Sequence, residues 1–172
     1  MRFSKDTAVR LGFLVAAAML AAASPLAAQG RPAAEITTGW AAFPDDGVVG
    51  ETLFGAAARL PISPRVSIGP EIAYMWGEQT IRDLMVTGNL WFDFLAPSAG
   101  QAPRTTPYVV VGGGLFRHSS KFFGQTFSTT EGAFTAGGGA RVWLGPSVYL
   151  APEVRVGWEL HLRASVTLGV PF

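Results

Sequence analysis

The sequence predicts an all-β fold: an eight-stranded antiparallel up-and-down transmembrane β-barrel, preceded by a cleaved signal peptide. Three observations predict it. Apolar and polar residues alternate with a period of two through most of the chain after Gly30. The charges follow the same parity, because seventeen of those after Gly30 carry odd numbers and only Asp46, Glu78, Arg82 and Arg104 carry even ones. The alternating stretches are also long, mostly eleven residues or more. A soluble strand runs to about 5–6 residues, whereas a strand tilted at about 45° needs some 9–11 to cross a bilayer.

Composition sets the bounds. The chain has 172 residues, a formal net charge of +1 and no cysteine. That is material for one domain, gives no polyelectrolyte signal for nucleic acid, and excludes disulfides and thiolate metal sites. No metal-ligand spacing occurs elsewhere, so no metal or cofactor is expected. Arg2, Lys5 and Arg10 precede an apolar run from Leu11 to Ala23, and SPLAAQG follows. A basic start, a short greasy middle and a small-residue exit make residues 1–30 a secretory signal, cut after Ala28 or Gly30. The run is too short for a spanning helix. Residues 31–172 form the barrel domain.

Gly and Pro punctuate that domain into eight strands, with no helix of normal length. The first two are Glu35–Phe43 and Val49–Leu60. The third, Arg65–Trp76, sets Val66, Ile68, Ile72, Tyr74 and Trp76 against Arg65, Ser67 and Glu71. In the fourth, Ile81–Leu95, Leu84, Val86, Leu90, Phe92 and Phe94 oppose Asp83, Asn89 and Asp93. The fifth and sixth, Thr106–Arg117 and Thr126–Leu144, carry the glycine triplets Gly112–Gly114 and Gly137–Gly139. Glycine there permits curvature and close approach. A phosphate-cradling pattern would need a glycine where Arg117 stands. The seventh, Ser147–Trp158, sets Val154, Val156 and Trp158 against Glu153 and Arg155. The eighth, Leu160–Phe172, alternates to the last residue. Short turns are expected at Pro61–Pro64, Gly145–Ser147 and Glu159–His161, a longer link at Ala96–Thr105, and the largest loop at His118–Thr126.

The uncharged even face is either a core or a lipid-facing surface. A soluble sandwich or lipocalin-like barrel would bury it. The aromatics favour lipid. Trp40, Tyr74, Trp76, Phe92, Phe94, Tyr108, Phe116 and Trp158 are all even and lie mostly near strand ends, as at a lipid–water interface. In a bilayer every backbone polar group must be paired internally, so the strands must close. The odd face then lines the lumen. Arg59, Arg65, Glu71, Asp83, Asp93, Arg117, Glu131, Arg141, Glu153, Arg155 and Arg163 are expected to form an ion-pair network there. Eight strands leave only enough room for side chains, so the network plugs the lumen.

The stretches TPYVVVGGGLFR, GGGARVWL, LAPEVRVGWELHLR and SVTLGVPF carry a resemblance. The chain after Gly30 resembles the small outer-membrane β-barrel domain family, relatives of the eight-stranded outer-membrane protein A barrel. The resemblance implies residence in the bacterial cell outer membrane, surrounded by outer-membrane lipid. It implies two partners during biogenesis, the barrel-assembly machinery and periplasmic chaperones. Leu168, Gly169, Val170 and Phe172 would be the signal that this machinery reads. No domain is expected after the barrel, and hence no tether to the cell wall.

Chemistry is sparse. His118, Ser120 and Glu131 loosely match the His–x–Ser pair and downstream Glu of the lipid A deacylases, but Lys121 departs from that family's pattern. His118 is read as a polar loop residue and no catalytic residue is expected. The expected function is non-enzymatic, an envelope or surface-interaction role. The alternatives are a narrow pore, a lipid-modifying hydrolase, or a soluble periplasmic ligand-binding barrel.

Overall fold

The computed structural model describes residues 30–45, 47–77, 82–96, 103–123, 125–158 and 160–172. Almost all of the expected signal peptide, Asp46, Glu78 and Glu159 lie outside them. The strands are β1 (Ala33–Asp45), β2 (Gly47–Pro61), β3 (Val66–Trp76), β4 (Arg82–Asp93), β5 (Thr105–Phe122), β6 (Gln125–Trp143), β7 (Tyr149–Trp158) and β8 (His161–Pro171). Each pairs antiparallel with the next, and β8 closes onto β1 from Ala33↔Pro171 to Ala42↔Leu162. Closure gives the strands of the barrel wall partners on both sides, while the outer part of the β5–β6 hairpin, beyond Ser119 and before Phe134, pairs only with itself. Both termini leave at one end, called here the terminal end.

The stretch expected as the largest loop, His118–Thr126, is mostly strand. β5 and β6 pair out to Phe122↔Gln125. The turn passes through Phe123, a non-glycine residue with φ of +46° whose side chain is exposed.

In seven strands the odd residues point inward. β5 is the exception. Asp93 pairs with Tyr108 and Tyr108 pairs with Gly139, so the inward parity changes on entering β5 and changes back in β6. Tyr108 and Phe116, expected among the interfacial aromatics, are therefore buried inside the barrel. Arg117, expected in the lumen, is exposed on the outside and bonds Ser128 Oγ at 3.4 Å. The physical reason is that fourteen residues separate Asp93 from Tyr108, an even number, and an even link reverses the face of every residue that follows.

The other expected interfacial aromatics, Trp40, Tyr74, Trp76, Phe92, Phe94 and Trp158, are exposed on the outer wall. Phe92 and Phe94 lie towards the terminal end and pack edge to face with centroids 5.8 Å apart. Tyr74, Trp76 and Trp158 lie towards the opposite end. Between the two groups the wall presents aliphatic side chains such as Ile36, Ile72, Val86, Val111 and Val166.

Candidate functional site

The barrel interior is filled in layers. Near the end away from the termini, Leu53, Met75, Met85 and Phe116 pack with Ala41, Ala73, Ala133 and Phe43 into an apolar layer. Phe43 also meets the His161 ring at 5.4 Å between centroids. The inward face is thus not wholly polar, since Leu53, Met75 and Met85 carry odd numbers and are completely buried.

The middle layer is ionic. Glu71 of β3 receives Arg155 Nη1 at 2.9 Å, Arg163 Nη1 at 2.5 Å and Asn89 Nδ2 at 2.6 Å. Glu153 receives Arg155 Nε at 2.6 Å and the Tyr108 hydroxyl at 2.9 Å, with Arg163 Nη2 at 3.9 Å. Two arginines and two glutamates make a neutral quartet. Arg155 and Arg163 are direct cross-strand partners. Like charges so placed repel, and the two carboxylates offset that repulsion. Gly112 supplies the space, because a Cβ there would lie 2.0 Å from Asn89 Oδ1.

A second neutral quartet lies towards the terminal end. Arg59 Nε donates to Glu35 Oε1 at 3.0 Å, and the Tyr149 hydroxyl donates to the same oxygen. Arg141 pairs with Asp93, and Arg59 Nη1 stands 3.8 Å from Asp93 Oδ1. The Arg59 guanidinium lies over the Trp91 ring at 4.5 Å and near that of Tyr108 at 5.0 Å, within cation–π range. Gly169 leaves room for the Tyr149 ring, since a Cβ there would meet its Cζ at 2.1 Å.

Of the expected network, Arg59, Glu71, Asp93, Arg141, Glu153, Arg155 and Arg163 are brought together in these two quartets. Four are not. Arg65 precedes β3 in the turn, with its side chain exposed and its carbonyl accepting the Asp93 N–H at 2.7 Å. Arg117 points outward, as described. Glu131, opposite Phe116, is exposed and makes no ion pair among the described residues. Asp83 is buried at the end away from the termini, where His118 Nδ1 meets its Oδ1 at 2.7 Å. His118 and Glu131 share a small pocket with Phe116 and Thr129, while the Ser120 side chain lies outside the described residues.

Sequence reasoning missed Glu35, Asn89, Trp91, Tyr108 and Tyr149. Glu35 was within reach, being an odd-numbered charge inside the first strand. Trp91 and Tyr149 carry odd numbers and stand on the inward face by the same parity as the charges, whereas the even-numbered Tyr108 is hidden by the inversion of β5. Among the described residues no group of three His, Asp or Glu is placed to hold a metal ion.

At the end of the chain, Phe172 is exposed and its N–H donates to the Pro32 carbonyl at 2.9 Å. Leu168 and Val170 face outward, and Gly169 faces in beside Tyr149.

No known protein family matches the chain, and no curated protein does. Solved structures do. Neisserial surface protein A superposes with a TM-score of 0.69 at 13% identity, over 82% of this chain and 96% of that one. The N-terminal β-barrel domain of Pseudomonas aeruginosa OprF gives 0.63 at 12% identity, over 84% and 99%. Ail, the attachment invasion locus protein of Yersinia pestis, gives 0.56 at 15% identity, over 83% and 97%. This chain therefore has the closed eight-stranded antiparallel fold of the small outer-membrane β-barrels.

Proposed function

We propose that this chain is an integral barrel of the bacterial outer membrane with a structural or surface-interaction role, and that it catalyses no reaction. The observation that carries the reading is the inverted polarity of the wall. Side chains such as Ile36, Ile72, Leu90 and Val154 are exposed around the waist, while the ion pairs lie inside. A continuous apolar belt of that size is an aggregation liability in water and a match for lipid. The names of two structural neighbours, a surface protein and an attachment protein, support a role at the cell surface. In this reading the terminal end faces the periplasm, and the long β5–β6 hairpin is the main projection into the medium.

The two quartets and the apolar layer support a lumen closed to ions. Outer-membrane lipid is the expected surrounding, and the assembly machinery and periplasmic chaperones the expected partners in biogenesis. Membrane fractionation with heat-modifiable gel migration tests the reading. The protein should require detergent for extraction and run differently when unboiled, and recovery in the aqueous fraction overturns it. Planar bilayers test the closed lumen, where steady single-channel currents would count against it.

The His118–Asp83 contact favours one second reading, a hydrolase acting on lipid, because an imidazole oriented by a carboxylate supplies two of a triad's three members. Fatty-acid release from lipid A that disappears in His118→Ala would establish it. We assign the pair to the barrel rim.

A further inference from the structure

Beyond the second quartet the barrel opens at its terminal end into a cup of about 740 Å³. Small-molecule sites span about 300–1,000 Å³. Trp143, Leu144 and Leu95 give the cup an apolar side, and Arg59, Arg141 and Asp93 lie at its floor. Arg31 and Arg104 add two cations to the lining.

The floor leaves guanidinium N–H groups unmet. Arg59 is only 3% exposed, yet its Nη1 has no hydrogen-bond partner, and neither does Arg141 Nε. Glu35 Oε1 is already committed to Arg59 Nε and the Tyr149 hydroxyl. Asp93 pairs with Arg141, and its Oδ1 is unbonded at 3.8 Å from Arg59 Nη1. Buried guanidinium N–H groups seek an oxygen acceptor, and the planar carboxylate suits their fork. The residues that line the cup carry four arginines against one aspartate. The Asp93 carboxylate on the floor repels a second negative charge, which favours a monoanion over a dianion.

We propose that the cup binds a small monoanionic carboxylate with a flat apolar body. The carboxylate accepts from Arg59 and Arg141, and the body lies against Trp143 and Leu144. Trp143 is already held edge to face on Tyr149, with ring centroids 5.0 Å apart, so it offers a fixed aromatic wall. This site is separate from the proposed surface role, because it opens at the end opposite the β5–β6 hairpin.

The test uses the full chain folded in phosphatidylcholine nanodiscs and the probe 2-naphthoate, followed through the Trp143 indole N–H resonance. A saturable shift is expected, at least about tenfold weaker for neutral 2-naphthylmethanol and for inorganic phosphate, which each lack one half of the ligand. Arg141→Gln should weaken binding by about tenfold or more, the scale of one charge-assisted hydrogen bond. Trp143→Leu, read through the Arg59 Nε–H resonance, should weaken it too. Arg65→Gln, at the same end but outside the cup, should leave it unchanged. Arg59→Gln is avoided because Arg59 also braces Trp91 and Tyr108, and each variant used is checked for folded gel migration. No saturable shift overturns the proposal. Equal response to the alcohol, or full binding in folded Arg141→Gln, overturns it as simple apolar partition. Phosphate binding as tight as naphthoate overturns the role of the apolar body.

Discussion

Replacing Glu71 by Gln keeps the shape of the middle quartet and removes one charge. Glu71 holds Arg155, Arg163 and Asn89 with two oxygens, all four side chains being buried. Glutamine turns one oxygen into an NH2 group that must face donors. The quartet goes from neutral to +1, with Arg155 and Arg163 still cross-strand partners. Removing one member of a buried ion pair costs about 3–5 kcal/mol. The remaining glutamine oxygen still accepts one hydrogen bond, which retains about 1 kcal/mol. Glu71→Gln should therefore lose about 2–4 kcal/mol, a large share of the roughly 5–15 kcal/mol that stabilises a folded domain. Urea unfolding in lipid vesicles, followed by tryptophan fluorescence and gel migration, reads the loss. The double variant Glu71→Gln/Arg163→Gln restores neutrality and should recover about 1–3 kcal/mol against the sum of the single changes. A single-variant loss below about 1 kcal/mol, the scale of an exposed ion pair, would refute a desolvated quartet. So would strict additivity in the double variant.

Three further outcomes follow from the register and the packing. Leu115→Cys should react with a membrane-soluble thiol reagent while Phe116→Cys stays protected, and the opposite pattern would overturn the inverted face of β5. Arg117→Leu should change stability by no more than about 0.5 kcal/mol, as for an exposed position, whereas Arg155→Leu should lose about 3–5 kcal/mol in the same urea series. Gly112→Ala drives a Cβ onto Asn89 Oδ1 and should cost about 1–3 kcal/mol, with part of that cost relieved by adding Asn89→Ala; an unchanged unfolding midpoint would show that Asn89 is not packed there.

The eight strands were legible because seventeen odd-numbered charges against four even ones mark a period of two over the whole chain. The face of β5 was not. Between Thr106 and Phe116 neither parity carries a charge, and both carry bulky apolar residues: Val109, Val111 and Leu115 on one side, Tyr108, Val110 and Phe116 on the other. The chain-wide parity puts Arg117 inward, yet Arg117 lies in the outward set. An outward arginine carries no penalty there, because at the end away from the termini it can reach water past the apolar band. A charge locates the interior of a barrel only where it stands at mid-wall. Arg155 and Glu153, opposite the glycines of β6, do stand there.

The partners in the quartets were hidden for a different reason. Glu71 is on β3, and the arginines that hold it are on β7 and β8, strands that share no ladder with β3. Their contact crosses the lumen, so it depends on which residues reach the same height on walls several strands apart. Each hairpin register adds an offset to that height, and the sum is fixed only when β8 meets β1 at Ala33↔Pro171. Parity in the sequence reports the side of the wall to which a residue points. Height is a property of the closed cylinder. The same distinction explains the layers: Leu53, Met75 and Met85 obey the inward parity as strictly as Glu71 does, and they form an apolar layer because they meet one another at one height, where neither quartet reaches.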